Sequence, residues 1–535
     1  LNYQHDTPAG TAFKSGTFAP PGGDLNPSNP AALNAFGDID DNSDLGLDRE
    51  VWGATLLLDG ALTDALSYTS ITAFRRFDSI EVFDPDGFSL PVFLFAEDAT
   101  GEQWSQEFRL IFEDGGPVSG FLGGSWIHQE GQQRVPLQYD ERAFFALTGG
   151  LLTDPFNVPT IDVLDQQIQG LIGAGLVPPI PFKPIHQEEF SNFEESDSFD
   201  VFADVTVEVF DGLELTAGGR WTYDDKRAAT QALLVNGPSA LTGGGIFITP
   251  TANNGDIIAN GASFDGFSWR FVARYEVNDN WNVFASYARG RRPEVINAAG
   301  LAGGAEAEDI ALPAETVDSF ELGAKGVFFD GVLALDGSGF YYEYANFQSS
   351  IQVEDQPVPL TINAGNATSY GLEGQAIVQP TDNAYFFANY SWNRGRFDDE
   401  AQGQPQVFAD NRFRLSPDHA FSVGADVSHV VPAGRISFRP TFVWQSRVFF
   451  DDNNDRPDLQ PADNIQDELQ DAYGILDLRA RFDTTNERYG IEVFVDNVLD
   501  KEYIIDAGNT GDIFGIPTFI AGEPRFYGVS VSARF

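Results

Sequence analysis

Hydrophobic and polar residues alternate along most of this chain with the two-residue period of a β-strand. Between residues 213 and 223 the odd positions are Leu213, Leu215, Ala217, Gly219, Trp221 and Tyr223. The even positions are Glu214, Thr216, Gly218, Arg220 and Thr222. In residues 319–328, Phe320, Leu322, Ala324 and Phe328 oppose Ser319, Glu321, Gly323 and Lys325. At the last residues Tyr527, Val529, Val531, Ala533 and Phe535 oppose Gly528, Ser530, Ser532 and Arg534. The predicted strands are long, and many carry an aromatic residue near one end.

The connections alternate too. Short turns fall at Thr63-Asp64, Asp114-Gly115-Gly116, Asp211-Gly212, Asp279-Asn280, Asp330-Gly331, Thr381-Asp382-Asn383, Ala433-Gly434 and Asn486-Glu487. Between them lie long segments at residues 80–102, 132–195, 227–263, 292–314, 347–363, 397–416, 450–470 and 503–522. A soluble sandwich or solenoid has no reason to put every short turn at one end. A transmembrane antiparallel β-barrel does, with short periplasmic turns, long extracellular loops, apolar-out and polar-in strands, and aromatic girdles. Lipid enforces the closed sheet, because every backbone polar group inside it needs a partner. Eight hairpins give sixteen strands, and residues 523–535 make a seventeenth. An odd count suggests that residues 1–5 are the tail of an earlier strand, so that the chain starts within a barrel.

Five segments then resemble one family, the TonB-dependent receptors of Gram-negative outer membranes. Asp200-Val201-Phe202-Ala203 through Leu215-Thr216-Ala217-Gly218-Gly219-Arg220-Trp221-Thr222-Tyr223-Asp224-Asp225-Lys226 is similar to its VFG…LTAGLRYTxDDK hairpin. Pro313-Ala314-Glu315-Thr316-Val317-Asp318-Ser319-Phe320-Glu321-Leu322-Gly323 resembles PETxxxYExG. Asn363-Ala364-Gly365-Asn366-Ala367 with Tyr370-Gly371-Leu372-Glu373 resembles NAGxAxxxGxE. Asp496-Asn497-Val498-Leu499-Asp500-Lys501-Glu502-Tyr503 is similar to xNLFDKxY, and residues 524–535 to the closing PRxYGVSxxxxF.

The resemblance implies a monomeric barrel of about 22 strands around an N-terminal plug. On that count, residues 1–5 end the fifth strand. It further implies uptake of a small-molecule ligand driven by the TonB–ExbB–ExbD complex. A ferric siderophore is the first expectation, with haem, cobalamin and oligosaccharide behind it. The family's plug domain and TonB box have no counterpart in these 535 residues. A plugless diffusion pore is therefore a second expectation. Tyr527 and Phe535 resemble the C-terminal aromatic assembly signal.

Composition narrows the alternatives. The chain has 80 Asp and Glu against 31 Lys and Arg, a net charge of −49, which excludes a phosphate-neutralising nucleic-acid binder. With no Cys there is no disulfide framework or thiolate chemistry. No apolar run is long enough for a transmembrane helix. The five histidines are scattered without metal-ligand spacing. No catalytic residue is expected, and no cofactor is required.

Two residue sets invite chemistry. Acidic clusters fall in predicted outer loops: around Asp38, Asp40, Asn42 and Asp44, at Asp84, Asp86, Glu97, Asp98 and Glu102, from Glu188 to Asp200, and from Asp451 to Asp471. Residues 38–44 have the alternate-oxygen spacing of a Ca²⁺ loop, so structural Ca²⁺ there, or a calcium-binding adhesin, is one expectation. The alternative is a solvated acidic surface. By strand parity Arg109, Arg220, Arg270, Arg274, Arg439, Arg479 and Arg481 point into the lumen. They would grip a carboxylate or catecholate ligand or the plug, or else pair with wall carboxylates. Arg289, Arg291 and Arg292 near an outer strand end suit lipopolysaccharide phosphates. Ile161, Leu164, Ile168, Leu171 and Ile172 recur at helical spacing, predicting a short helix that lids the mouth or packs a loop down.

Overall fold

The computed structural model describes residues 1–20, 24–29, 31–33, 39, 44–296, 311–351, 360–401, 403–459, 468–508 and 516–534. Eighteen strands form one antiparallel sheet. The first six are β1 Asn2–Asp6, β2 Gly46–Ala61, β3 Leu66–Phe83, β4 Phe93–Glu113, β5 Val118–Tyr139 and β6 His186–Phe210. Next come β7 Leu213–Leu234, β8 Ile258–Asn278, β9 Trp281–Arg292, β10 Glu315–Phe328, β11 Leu333–Ala345 and β12 Ala367–Thr381. The last are β13 Ala384–Phe397, β14 His419–Val431, β15 Gly434–Gln445, β16 Tyr473–Thr484, β17 Tyr489–Asp496 and β18 Phe526–Ala533.

Each strand pairs with its sequence neighbours, from Asn2 opposite Gly53 to Asp496 opposite Phe526. The seventeen strands counted from the sequence are β2–β18, and residues 2–6 form the expected additional strand. Among the described residues no ladder joins β18 back to β1, so the described sheet is a meander open at that seam. In lipid both free edges need partners.

All eight short turns sit between paired strands. Asp211-Gly212 joins its strands with two residues, and Gly212 takes φ +84°, a conformation that favours glycine. At the loop end the sequence reading stopped the strands too early. β3 and β4 enclose only residues 84–92, β5 and β6 enclose 140–185, and β7 and β8 enclose 235–257. Glu97, Asp98 and Glu102 therefore stand on β4, and residues 188–200 stand on β6, rather than in loops. The reason is reach. A tilted strand crosses a bilayer in about 9–11 residues. β4 to β7 run 21, 22, 25 and 22 residues, so their outer halves rise beyond the lipid and lose the apolar alternation that marks a spanning strand.

Register puts the large apolar side chains on one face. Leu122, Val201, Trp221, Phe267, Phe271 and Leu322 are exposed on that face, while Asp200, Asp204 and Phe202 on the other are buried. Above the apolar band runs an outward girdle including Trp52, Trp104, Trp126, Trp221, Tyr341 and Tyr390.

The predicted helix exists as α2 (Ile161–Gly173), preceded by α1 (Glu141–Thr148), which the periodicity did not reveal. Leu164 and Ile168 are fully buried in α2. Leu164 joins Phe88, Phe93, Leu137, Tyr139, Phe144 and Phe247 in a core that ties the outer segments into a cap. The helix thus packs its loop down.

Candidate functional site on the inner wall

All seven predicted arginines lie on inward register positions, and each has a carboxylate beside it. Arg109 Nε lies 2.6 Å from Glu107 Oε1, and Arg220 Nη1 lies 3.8 Å from Asp200 Oδ1. Arg270 donates from Nε to Asp204 Oδ2 at 2.8 Å. Arg274 spans Glu214 at 2.8 Å and Glu276 at 2.6 Å. Arg439 meets Asp426 at 2.7 Å, Arg479 meets Asp496 at 3.0 Å, and Arg481 meets Asp483 at 2.6 Å. Arg439 and Arg479 stand directly opposite each other across β15 and β16, and acids on either side draw the two like charges apart.

Four of the seven line two hollows. Arg109, Arg220 and Arg270 line a hollow of about 450 Å³ with Phe121 and Phe202. The Arg109 guanidinium lies 5.6 Å from the centroids of both rings, and that of Arg220 lies 4.7 Å from Phe202. Such stacking holds a guanidinium flat and leaves its edge free to donate. The carboxylates that anchor Arg220 and Arg270 are nearly buried, whereas the arginine side chains are 45% and 55% exposed to the lumen. The wall therefore shows its positive ends. Arg479 belongs to a second hollow of about 1040 Å³, where Glu373, Gln375, Asn389 and Ser422 supply a polar floor. There Gln375 donates to Asn389 at 2.8 Å, and Asn389 to Ser422 at 3.0 Å.

Phe121 and Phe202 are not among the site residues expected from the sequence. Phe202 occupies an inward position between Asp200 and Asp204, and an apolar residue out of phase with the alternation was the available signal.

The other candidates fare differently. Asp38, Asp40, Asn42 and Phe535 lie outside the described residues, and Asp44 is exposed. Among the described residues no group of three or more His, Asp or Glu side chains is placed to hold a metal ion. Tyr527 faces outward on β18 opposite Val495. Arg289 faces outward but is committed to Asp318 and to the Trp269 ring at 5.1 Å. Arg291 is turned away, buried between Asp224 and Glu294. Arg292 donates to the Gln348 carbonyl at 3.1 Å.

The outer loops hold unusual carboxylates. Asp84 and Asp86 are fully buried and accept the N–H groups of residues 86–88 and 93. Burial and the adjacent Asp84 push Asp86 well above the usual carboxylate range. Asp451 is raised to about 6, mainly by burial.

A long antiparallel meander with an aromatic-rimmed apolar outer face and a polar inner face defines an outer-membrane β-barrel. Residues 1–498 match the family model described as TonB dependent receptor-like, beta-barrel, and the chain belongs to that family of Gram-negative outer-membrane proteins. It is 23% identical over 319 residues to the pesticin receptor of Yersinia pestis, covering 58% of this chain and 40% of that one. It is also 23% identical over 264 residues to the ferric-pyoverdine M114 receptor PbuA of Pseudomonas sp. (strain M114), covering 49% and 29%. The chain thus spans less than half the length of these relatives, which are named as receptors and not as enzymes. The ferric yersiniabactin uptake receptor FyuA from Yersinia pestis shares the fold, with a TM-score of 0.67 at 17% identity over 92% of this chain and 62% of that one.

Proposed function

We propose that the chain forms the barrel wall of an outer-membrane receptor that takes up a scarce ligand actively, a ferric siderophore before haem, cobalamin or an oligosaccharide. The inner wall carries this reading: Arg109 and Arg220 lie over Phe202, near-buried carboxylates anchor Arg220 and Arg270, and the free guanidinium edges face the lumen. Carboxylate and catecholate oxygens match such edges. The name of the ferric-pyoverdine receptor PbuA supports a receptor for iron chelates.

An outer membrane offers neither nucleotide nor a large potential, so uptake against a gradient needs force from an energised inner-membrane complex, TonB–ExbB–ExbD. A plug within the lumen would receive that force, and the inner-wall arginines are then contacts for plug or cargo. A passive pore is the second reading, favoured by the breadth of the polar hollow around Arg479.

The test is accumulation of labelled iron by cells that carry or lack the complete gene, across a panel of ferric siderophores and haem. Loss of uptake for one chelate, both on gene deletion and on removal of TonB, is expected. Uptake that survives without TonB, with steady conductance of the purified protein in a planar bilayer, would establish the pore instead.

A further inference from the structure

Where β5 and β6 run into the cap they close a polar pocket around one histidine. Glu141, His186 and Glu188 are fully buried in it, and Lys183 is half-buried at its edge. His186 Nε2 lies 3.2 Å from Glu188 Oε1 and donates to it whether the ring is neutral or protonated. Nδ1 has two neighbours of opposite kind, Lys183 Nζ at 3.2 Å and Glu141 Oε1 at 3.8 Å. An ammonium only donates, so with Lys183 in place Nδ1 is an acceptor and the ring is neutral. β5 adds the Tyr139 phenol, its ring centroid 4.9 Å from that of His186. On α1 the adjacent Asp140 is occupied by Arg142 at 2.6 Å. The 235–257 loop carries one ionisable residue, Asp256, whose carboxylate accepts from Asn253 at 2.7 Å.

The two neighbours of Nδ1 also hold the turn at residues 236–240. Lys183 Nζ donates to the carbonyls of Asn236, Gly237 and Pro238 at 3.0, 3.0 and 2.7 Å. Glu141 Oε1 accepts the Ser239 hydroxyl at 2.7 Å and the Ala240 N–H at 2.8 Å. The protonation state of one ring nitrogen therefore decides which of these two groups it engages, and both are anchors of the same turn.

We infer that His186 is a proton-operated latch on the 236–240 turn of the cap. A proton taken up at Nδ1 turns it from an acceptor for Lys183 into a donor toward Glu141 Oε1. Two cations in contact repel, so the lysine side chain swings out to solvent and releases its three carbonyls. The pocket keeps one cation for its two carboxylates in both states, Lys183 before and His186 after, so no buried charge is stranded by the exchange. The new donor also competes with Ser239 and Ala240 for one carboxylate oxygen. The latched state binds one proton fewer than the released state. Its stability is therefore complete at the upper end of the range in which imidazoles titrate, roughly pH 8 to 5, and is lost as pH falls through it.

The experiment measures amide exchange in the complete receptor in mild detergent, corrected for intrinsic rates, at about pH 7.5 and about pH 5.5, either side of an ordinary imidazole pKa. In wild type the amides of Gly237, Ser239 and Ala240 should lose about tenfold in protection at the lower pH, the scale of one hydrogen bond. Phe247 and Ile248, whose N–H groups are held by Glu188, should change little. His186→Gln keeps a donor for Glu188 and takes up no proton, so its turn should be equally protected at both pH values. Lys183→Gln should already be loosened at the higher pH. Folding is read independently from heat-modifiable migration, and His186→Asn replaces His186→Gln if that variant misfolds. Equal protection of the wild-type turn at both pH values overturns the inference. So does a pH dependence that survives in the folded His186 variant, which would move the titration to Glu141 or Asp140. Wild-type protection of the turn in Lys183→Gln at the higher pH would remove the lysine from the latch and overturn it as well.

Discussion

Glu188 and His186, both fully buried, meet through Nε2 and Oε1 at 3.2 Å where β6 emerges into the cap. Glu188 also accepts the Tyr139 hydroxyl and the N–H groups of Ile246, Phe247 and Ile248. Burial alone would raise its pKa, but these donors hold it below the ordinary range. Lys183 Nζ donates to His186 Nδ1 at 3.2 Å, which leaves the Nε2 proton for Glu188. One carboxylate thus joins β5, β6 and the 235–257 loop.

Glu188→Ala should therefore loosen the cap without dissolving the barrel. It strands three backbone donors and a phenol in an apolar core, at a cost of roughly 3–5 kcal/mol. Amide exchange at Phe247 and Ile248 should speed up by orders of magnitude while heat-modifiable migration persists. Unchanged protection of those amides would show that the core of Phe93, Phe144 and Phe247 holds the loop unaided.

The inner-wall pairs differ in how deeply their acids are buried. Asp204 is 10% exposed under Arg270, whereas Glu214 is 42% exposed beside Arg274. Arg270→Ala should cost about 2–3 kcal/mol because it leaves a desolvated carboxylate behind. Arg274→Ala should cost at most about 1 kcal/mol. Denaturant midpoints of the refolded barrel distinguish them, and equal losses would mean that Asp204 is hydrated in the membrane-embedded protein.

Gly123 lets Phe202 lie flat against β5. A Cβ at this position would come within 2.5 Å of the Phe202 ring and 2.8 Å of the Phe108 carbonyl oxygen. At Gly374 the nearest atom would be 3.8 Å away. Gly123→Ala should displace the ring under Arg109 and Arg220 and raise the KM for uptake several-fold, a cation–π loss of about 1 kcal/mol. Gly374→Ala should do neither. An unchanged KM in a folded Gly123→Ala protein would remove the Phe202 platform from ligand or plug binding.

These sites show what the sequence could and could not reveal. Turns such as Asp211-Gly212 were legible because only a few residues tolerate their backbone, and the inward arginines were legible because parity is strict inside lipid. Above the lipid the constraint vanishes. β6 stays a strand through Glu188–Ser196 without apolar alternation, and its acids look like loop acids. Helix α1 is held by the Asp140 cap and by Ala143, Phe144 and Ala146 in the cap core, contacts that come from distant chain.

The last prediction concerns Asp451, in the segment where residues 449–456 are hydrogen-bonded to residues 409–415. Its half-buried carboxylate lies near Glu468 and Asp452, accepts the Asn453 N–H at 2.9 Å, and is pushed up from 3.8 to about 6. The folded loop therefore binds a proton that the unfolded chain has already released between those values. Stability should be greatest below the ordinary carboxylate pKa, fall as pH rises toward 6, and stay level above it. The full span is at most roughly 3 kcal/mol. Amide exchange at Asn453, corrected for intrinsic rates, should report this slope between pH 4 and 6 in wild type, marked approximately by those two pKa values. Asp451→Asn keeps an acceptor for that N–H without the charge, so its loop should be flat across the same window and better protected at neutral pH. A wild-type slope that survives in Asp451→Asn would transfer the titration to Glu468 or Asp452.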